Sequence, residues 1–196
     1  MDWVDWATIV PSLAMGIGLA ACAGIRAWLP LLLAGGMARW GIIELGTSFQ
    51  FIAGDRALIL FGVATVIEIL ADKVPAVDHA LDSLSTILRP AAGSLLAASV
   101  LWQVSDPLTA LALGVAVGAP TSLVPHAAKS VLRAASTTFT GGLANPFISI
   151  LEDLIAVALF VLTVLIPVVV AAVLVLVGLL VARRIQRRSP APLTAA

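Results

Sequence analysis

Charge is what this sequence has least of. Only 11% of its 196 residues are Asp, Glu, Lys or Arg, and 61% are apolar; a water-soluble domain carries roughly 25% and 45–50%. A soluble helical fold needs charged faces to cover its surface, and several stretches here have none for more than a dozen residues. That scarcity excludes a soluble globule. The charges present are balanced, 11 basic against 11 acidic, which removes the footprint of a nucleic-acid binder. With 2 histidines and 1 cysteine there is no set at metal-ligand spacing, so no metal or other cofactor is expected. Cys22 lies in an Ala-rich run and reads as a small packing residue. There is no H-E-x-x-H, no phosphate-binding Gly loop and no Ser/His/Asp or Cys/His set. His126 with Glu152 or Asp153 is too little for a catalytic dyad, and the chain is not expected to be an enzyme. The acidic start MDWVDW lacks a short apolar core with a small-residue cleavage site, so no signal peptide is predicted and the chain is read as mature.

What the sequence has is long apolar runs, at residues 7–38, 57–71, 91–104, 108–125 and 146–182. A membrane span needs about 20 residues at about 1.5 Å each. The first run is too long for one straight helix and the last is long enough for two. Each holds a breaker: Gly24-Ile25-Arg26 ahead of Pro30, and Pro167. The short second and third runs recruit Asp72 and Lys73, or Ser105 and Asp106, at their ends. The expected fold is all-α, a polytopic transmembrane bundle of about six spans with a broken first helix. Residues 1–182 form one integral membrane domain, and 183–196 a basic cytoplasmic tail, disordered at its end. With a hairpin at Pro167, cytoplasmic loops hold Lys73, Arg89, Lys129, Arg133, Arg183, Arg184, Arg187 and Arg188 against Arg39 and Arg56 outside, eight to two; a single kinked helix gives six to four. Positive residues concentrate inside, so the expectation is a multi-pass bacterial inner-membrane protein with both termini cytoplasmic. The lack of polar turn residues around Pro167 argues against the hairpin.

Two segments between spans are themselves helical in pattern. Across 75–89, Leu81, Leu84 and Leu88 recur at helical spacing while Asp78, Asp82 and Arg89 gather on another face, which predicts an amphipathic helix at the inner interface. Lys73, Asp78, Asp82 and Arg89 are accordingly assigned as structural or interfacial charges. His126, Lys129 and Arg133 are spaced i, i+3, i+7, one stripe of a helix. Gly141 and Gly142 then form a loop, with Asn145 placed to cap the next helix. Pro75-x2-Asp78-x3-Asp82 echoes Pro146-x2-Ser149-x3-Asp153, too faintly to carry a mechanism.

An ionisable residue at the centre of a span costs about 2.5–3.5 kcal/mol, so each needs a partner or water. The candidate binding residues are Arg26, Glu68, Asp72, His126, Lys129, Arg133, Glu152 and Asp153. Carboxylates are short and snorkel poorly, which makes Glu68, Glu152 and Asp153 as consistent with function as with structure. Arg26 interrupts an apolar run at a helix break, where its guanidinium and free backbone N–H groups could meet an anion or a lipid phosphate, or pair with a carboxylate on a neighbouring helix. Ala14-x3-Gly18, Ala20-x3-Gly24 and Gly114-x3-Gly118 offer smooth faces for close helix packing or a homodimer.

Together, G-I-R-A-W-L-P-L-L (24–32), E-I-L-A-D-K-V-P-A-V-D-H (68–79), R-P-A-A-G (89–93), H-A-A-K-S-V-L-R (126–133) and N-P-F-I-S-I-L-E-D (145–153) resemble a family of small bacterial membrane proteins, domain-of-unknown-function family 4126. The resemblance implies a compact multi-span helical fold with charged motifs at helix ends. It groups Glu68, Asp72, Lys73, Asp78, Arg89, His126, Lys129, Arg133, Glu152 and Asp153, and brings no activity with it. Two functions compete. One is a transporter or permeation protein for an ion, an anionic solute or a lipid head group, using the charges as its site. The other is a non-catalytic scaffold or accessory subunit whose charges only hold helices together. The expected partner is the lipid bilayer.

Overall fold

A computed structural model describes residues 6–72 and 75–188, with side chains left aside at 75–83 and 185–188. Lys73 and residues 189–196 lie outside the described residues, and for Asp78 and Asp82 only the backbone is described. The described chain is all-α: α1 (Trp6–Ile25), α2 (Leu29–Arg39), a 3-10 helix (Thr47–Ala53), α3 (Asp55–Ala71), α4 (Pro75–Ser99), α5 (Pro107–Thr140), α6 (Asn145–Leu165) and α7 (Pro167–Arg188). Four helices are long and apolar enough to cross a membrane: α1, α5, α6 and Pro167–Arg184 of α7. The fold is a helical membrane bundle.

The first apolar run breaks where the sequence places its breaker. The α1 ladder runs to Arg26, whose N–H reaches Cys22 O at 3.0 Å, and α2 starts with Pro30 in its first turn, where no N–H is needed. The break does more than bend the helix. Pro11 and Ser12 of α1, Glu44 beyond α2, Trp102 between α4 and α5, and Pro167 all line one recess, so they share one end of the bundle. Arg26, Asp72 and Ser149 meet toward the other. The chain therefore reverses at Arg26 to Trp28. The first apolar run thus leaves along α1 and returns along α2 within the bundle.

Pro167 marks a second reversal. Helix α6 begins beside Arg26 and ends with Thr163 against Gly18, after which α7 lays Leu174 and Gly178 along a cavity shared with Ile17 and Ala21. No polar turn residue is needed because only Ile166 is non-helical (φ −139°, ψ 58°). Its N–H reaches Leu162 O at 2.8 Å and its carbonyl accepts from Val170 N at 3.2 Å. Pro167 has no N–H to strand.

The helix expected over 75–89 does not stop there. It continues through Pro90 to Ser99, merging with the third apolar run into one helix of 25 residues. Leu84 and Ile87 face outward and Leu88 packs against the core, while Arg89, expected at the interface, is buried. A helix with hydrocarbon outside and protein inside turns its charge inward.

The small-residue stripes are spent on internal packing. A Cβ on Gly118 would lie 2.4 Å from Gly93 O, one on Gly114 2.4 Å from Ser94 O, and one on Gly24 2.1 Å from Ser122 O. Backbone thus meets backbone where α5 crosses α4 and α1. Asn145, expected as a cap, is already the first residue of α6, and its amide donates to Thr137 Oγ1 on α5 at 3.2 Å. Asp106 is the capping residue that forms: it accepts from Thr109 N at 2.7 Å, and the Thr109 hydroxyl and amide hold its carboxyl below the ordinary range.

Gly118→Val should lower stability by about 1–3 kcal/mol through overpacking, whereas Gly178→Ala, with nothing within 4 Å of its Cβ position, should stay within about 0.5 kcal/mol of the parent. Thermal unfolding in detergent compares them.

Candidate functional site

Four helices deliver charge to one level of the bundle. Arg26 stands at the α1 break, Asp72 caps the C-terminal end of α3, the α5 stripe carries His126, Lys129 and Arg133, and Glu152 and Asp153 follow the first turns of α6. The i, i+3, i+7 spacing makes the α5 stripe the buried face of its helix: all three side chains are inside.

Asp72 is the hub. Its Oδ2 accepts from Arg26 Nη1, from Lys129 Nζ at 3.2 Å and from Arg133 Nη2 at 2.9 Å. Glu152 forms the second node, with Oε2 at 3.0 Å from both Lys129 Nζ and Arg133 Nη2. Arg26 is fully buried, and its Nη2 donates to Ser149 Oγ at 2.9 Å and Ser149 O at 3.2 Å. Its Nε lies 2.7 Å from Asp153 Oδ1 without the alignment of a hydrogen bond, so that contact is Coulombic. Asp153 is the most exposed of these partners, at 23%.

The broken helix is sealed on both sides. Glu68 accepts from the N–H groups of Ala27 (3.0 Å) and Trp28 (3.3 Å), the donors freed where α2 begins. Arg89 Nη1 donates to Gly24 O at 3.1 Å, one of the last carbonyls of α1. The same Nη1 meets His126 Nδ1 at 2.9 Å. A guanidinium can only donate, so Nδ1 is the acceptor in this contact, and Nε2 lies 3.3 Å from Thr86 Oγ1. The anion expected at this break is therefore supplied from within: Glu68 holds the backbone amides and Asp72 the guanidinium.

All eight candidate binding residues come together here, with Arg89 joining from α4. Four cations (Arg26, Arg89, Lys129, Arg133) meet four carboxylates (Glu68, Asp72, Glu152, Asp153) among the described residues. Ser149 and the Gly24 carbonyl are the additions. Ser149 is one helical turn ahead of Asp153 and on its face, the only hint its spacing gave. Among the described residues no three His, Cys, Asp or Glu converge as metal ligands. What the arrangement can do is present three cationic donors to one oxyanion.

The family described as Domain of unknown function (DUF4126) has a model that matches residues 13–187. No curated protein and no solved structure matches the chain.

Removing one member of a buried ion network leaves its partners uncompensated, at about 3–5 kcal/mol. Glu152→Gln alone and Lys129→Met alone should each cost stability on that scale. The double variant removes one charge of each sign, and should recover most of the loss in a double-mutant cycle read by thermal unfolding.

Proposed function

Starting from a chain that belongs to the family Domain of unknown function (DUF4126), we propose that this membrane protein binds and passes an anionic solute at the Arg26, Lys129 and Arg133 cluster. The observation that carries the reading is the convergence of three cations on a single oxygen of Asp72. Two guanidinium forks and an ammonium aimed at one point suit an oxyanion such as phosphate, sulfate or a carboxylate. Asp72 then stands in for the solute in an occluded arrangement. It sits at the last turn of α3, so displacing it asks for movement at one helix end rather than of the whole bundle. A discontinuous helix with ionisable groups inside the bundle is how membrane carriers build midplane sites.

The second reading, a scaffold whose charges only tie helices together, is favoured by the one-for-one match of carboxylates and cations. Asp72→Asn separates the two. As a stand-in, Asp72 leaves a vacated anion site when neutralised, so the variant should gain several degrees of thermal stability from millimolar phosphate or sulfate. The parent protein should gain less, and proteoliposomes should carry oxyanion flux that Lys129→Met abolishes. A variant that loses stability and responds to no added oxyanion would favour the scaffold.

For orientation we propose that the end carrying Arg183 and Arg184 faces the cytoplasm of a bacterial inner membrane, by the run of Arg183, Arg184, Arg187 and Arg188 that follows the last span. The fold-back of α1 and α2 then sends the start of α1 to the other face. Impermeant thiol reagents added outside cells should label Trp6→Cys and spare Arg188→Cys, both built on a Cys22→Ala background.

A further inference from the structure

We propose that the flank between α1, α5 and α7 is a binding slot for one acyl chain of an anionic phospholipid, with the lipid head group held at Arg184. The slot has a volume of about 970 Å³ and no charged lining residue. Its one hydroxyl, Thr121 Oγ1, is already committed to Val117 O at 2.6 Å, so the walls ask for no polar partner. Val124, Val131 and Val177 stay open to the outside along it. Gly178 forms part of its wall, and a Cβ there would meet nothing within 4 Å. An apolar slot in hydrocarbon left empty forfeits dispersion contacts along its length, and a slender alkyl chain restores them.

The charge lies at one end only. Val177 and Val181 line the slot, and Arg184 follows them by seven and three positions on the same face of α7, one turn further along. Arg183 and Arg184 are exposed. A basic residue just beyond an apolar groove, at the depth where head groups begin, selects an anionic head group over a zwitterionic one by about 1 kcal/mol per residue, near fivefold. This site is separate from the cluster around Asp72 and does not rest on that proposal.

The test uses the full chain in detergent with dioleoyl phosphatidylglycerol or dioleoyl phosphatidylcholine added. Retained lipid is read by native mass spectrometry, and stability by thermal unfolding. The parent should retain one phosphatidylglycerol and melt higher with it than with phosphatidylcholine. Arg184→Gln should lose that preference, while Arg56→Gln, an equal charge change at the other end of the bundle, keeps it. Gly178→Phe fills open space, so it should fold and yet retain neither lipid. Equal retention of both lipids by the parent, or unchanged retention in Gly178→Phe, would overturn the proposal. So would a Gly178→Phe variant that loses a dimer and keeps its lipid, which would give the slot to a second copy of the chain.

Discussion

A helix broken inside hydrocarbon stands only if every amide and carbonyl it frees finds a partner, and that constraint organises this protein. Beyond the N–H of Arg26, which still reaches Cys22 O, the amides of Ala27 and Trp28 have no helical carbonyl of their own. Glu68 answers the amides of Ala27 and Trp28, and Arg89 answers the carbonyl of Gly24. Each answer imports a charge, and each charge then needs another. His126 takes the spare face of Arg89, while Asp72 and Asp153 take Arg26. Lys129, Arg133 and Glu152 close the set. The charge lattice is the continuation of one gap in the main chain.

This chain of obligations ties the helices in a set order. Breaking the α1 ladder fixes where α3 must end, because Glu68 has to reach the gap and Asp72 follows it by one turn. It also sets how close α5 comes. Gly24 offers its carbonyl to Arg89 and at the same residue lets α5 approach to backbone contact at Ser122. Packing and electrostatics therefore meet in one residue, and a side chain there would disturb both.

Much of this was legible in the sequence. The break at Arg26, the buried α5 stripe, the acidic pairs of α3 and α6 and the close-packing faces all follow from local pattern, since spacing, hydropathy and breakers act within one helix. The misreadings concern what lies outside a helix. A breaker says where a helix ends but not which way the chain leaves, so the fold-back at Arg26 to Trp28 is not written in the local pattern. The segment at 75–89 reads as an interfacial helix with Arg89 at the membrane surface; Leu84 does face outward, but Arg89 is buried because the carbonyl of Gly24 on another helix claims it. The helix at 75–89 and the apolar run from 91 read as separate elements, but they are one helix, and Gly93 packs on Gly118 beyond the join. Asn145 looked like a cap because its type favours one, and α5 claimed its side chain first. The role of Asp72 as hub depends on three residues from two other helices, and no spacing within α3 announces that.

The reversal at Ile166 bears on how the chain enters its membrane. Most helical hairpins must bring the water-loving segment between their arms across or up to the bilayer surface, and stripping that segment of solvent is the costly part of insertion. Here a single isoleucine separates α6 from α7, with its amide and carbonyl both occupied. The pair can slip in as one greasy wedge with its tip already dry, leaving the carboxylates near the trailing end of α6 to find their cations on α1 and α5 once the wedge is seated.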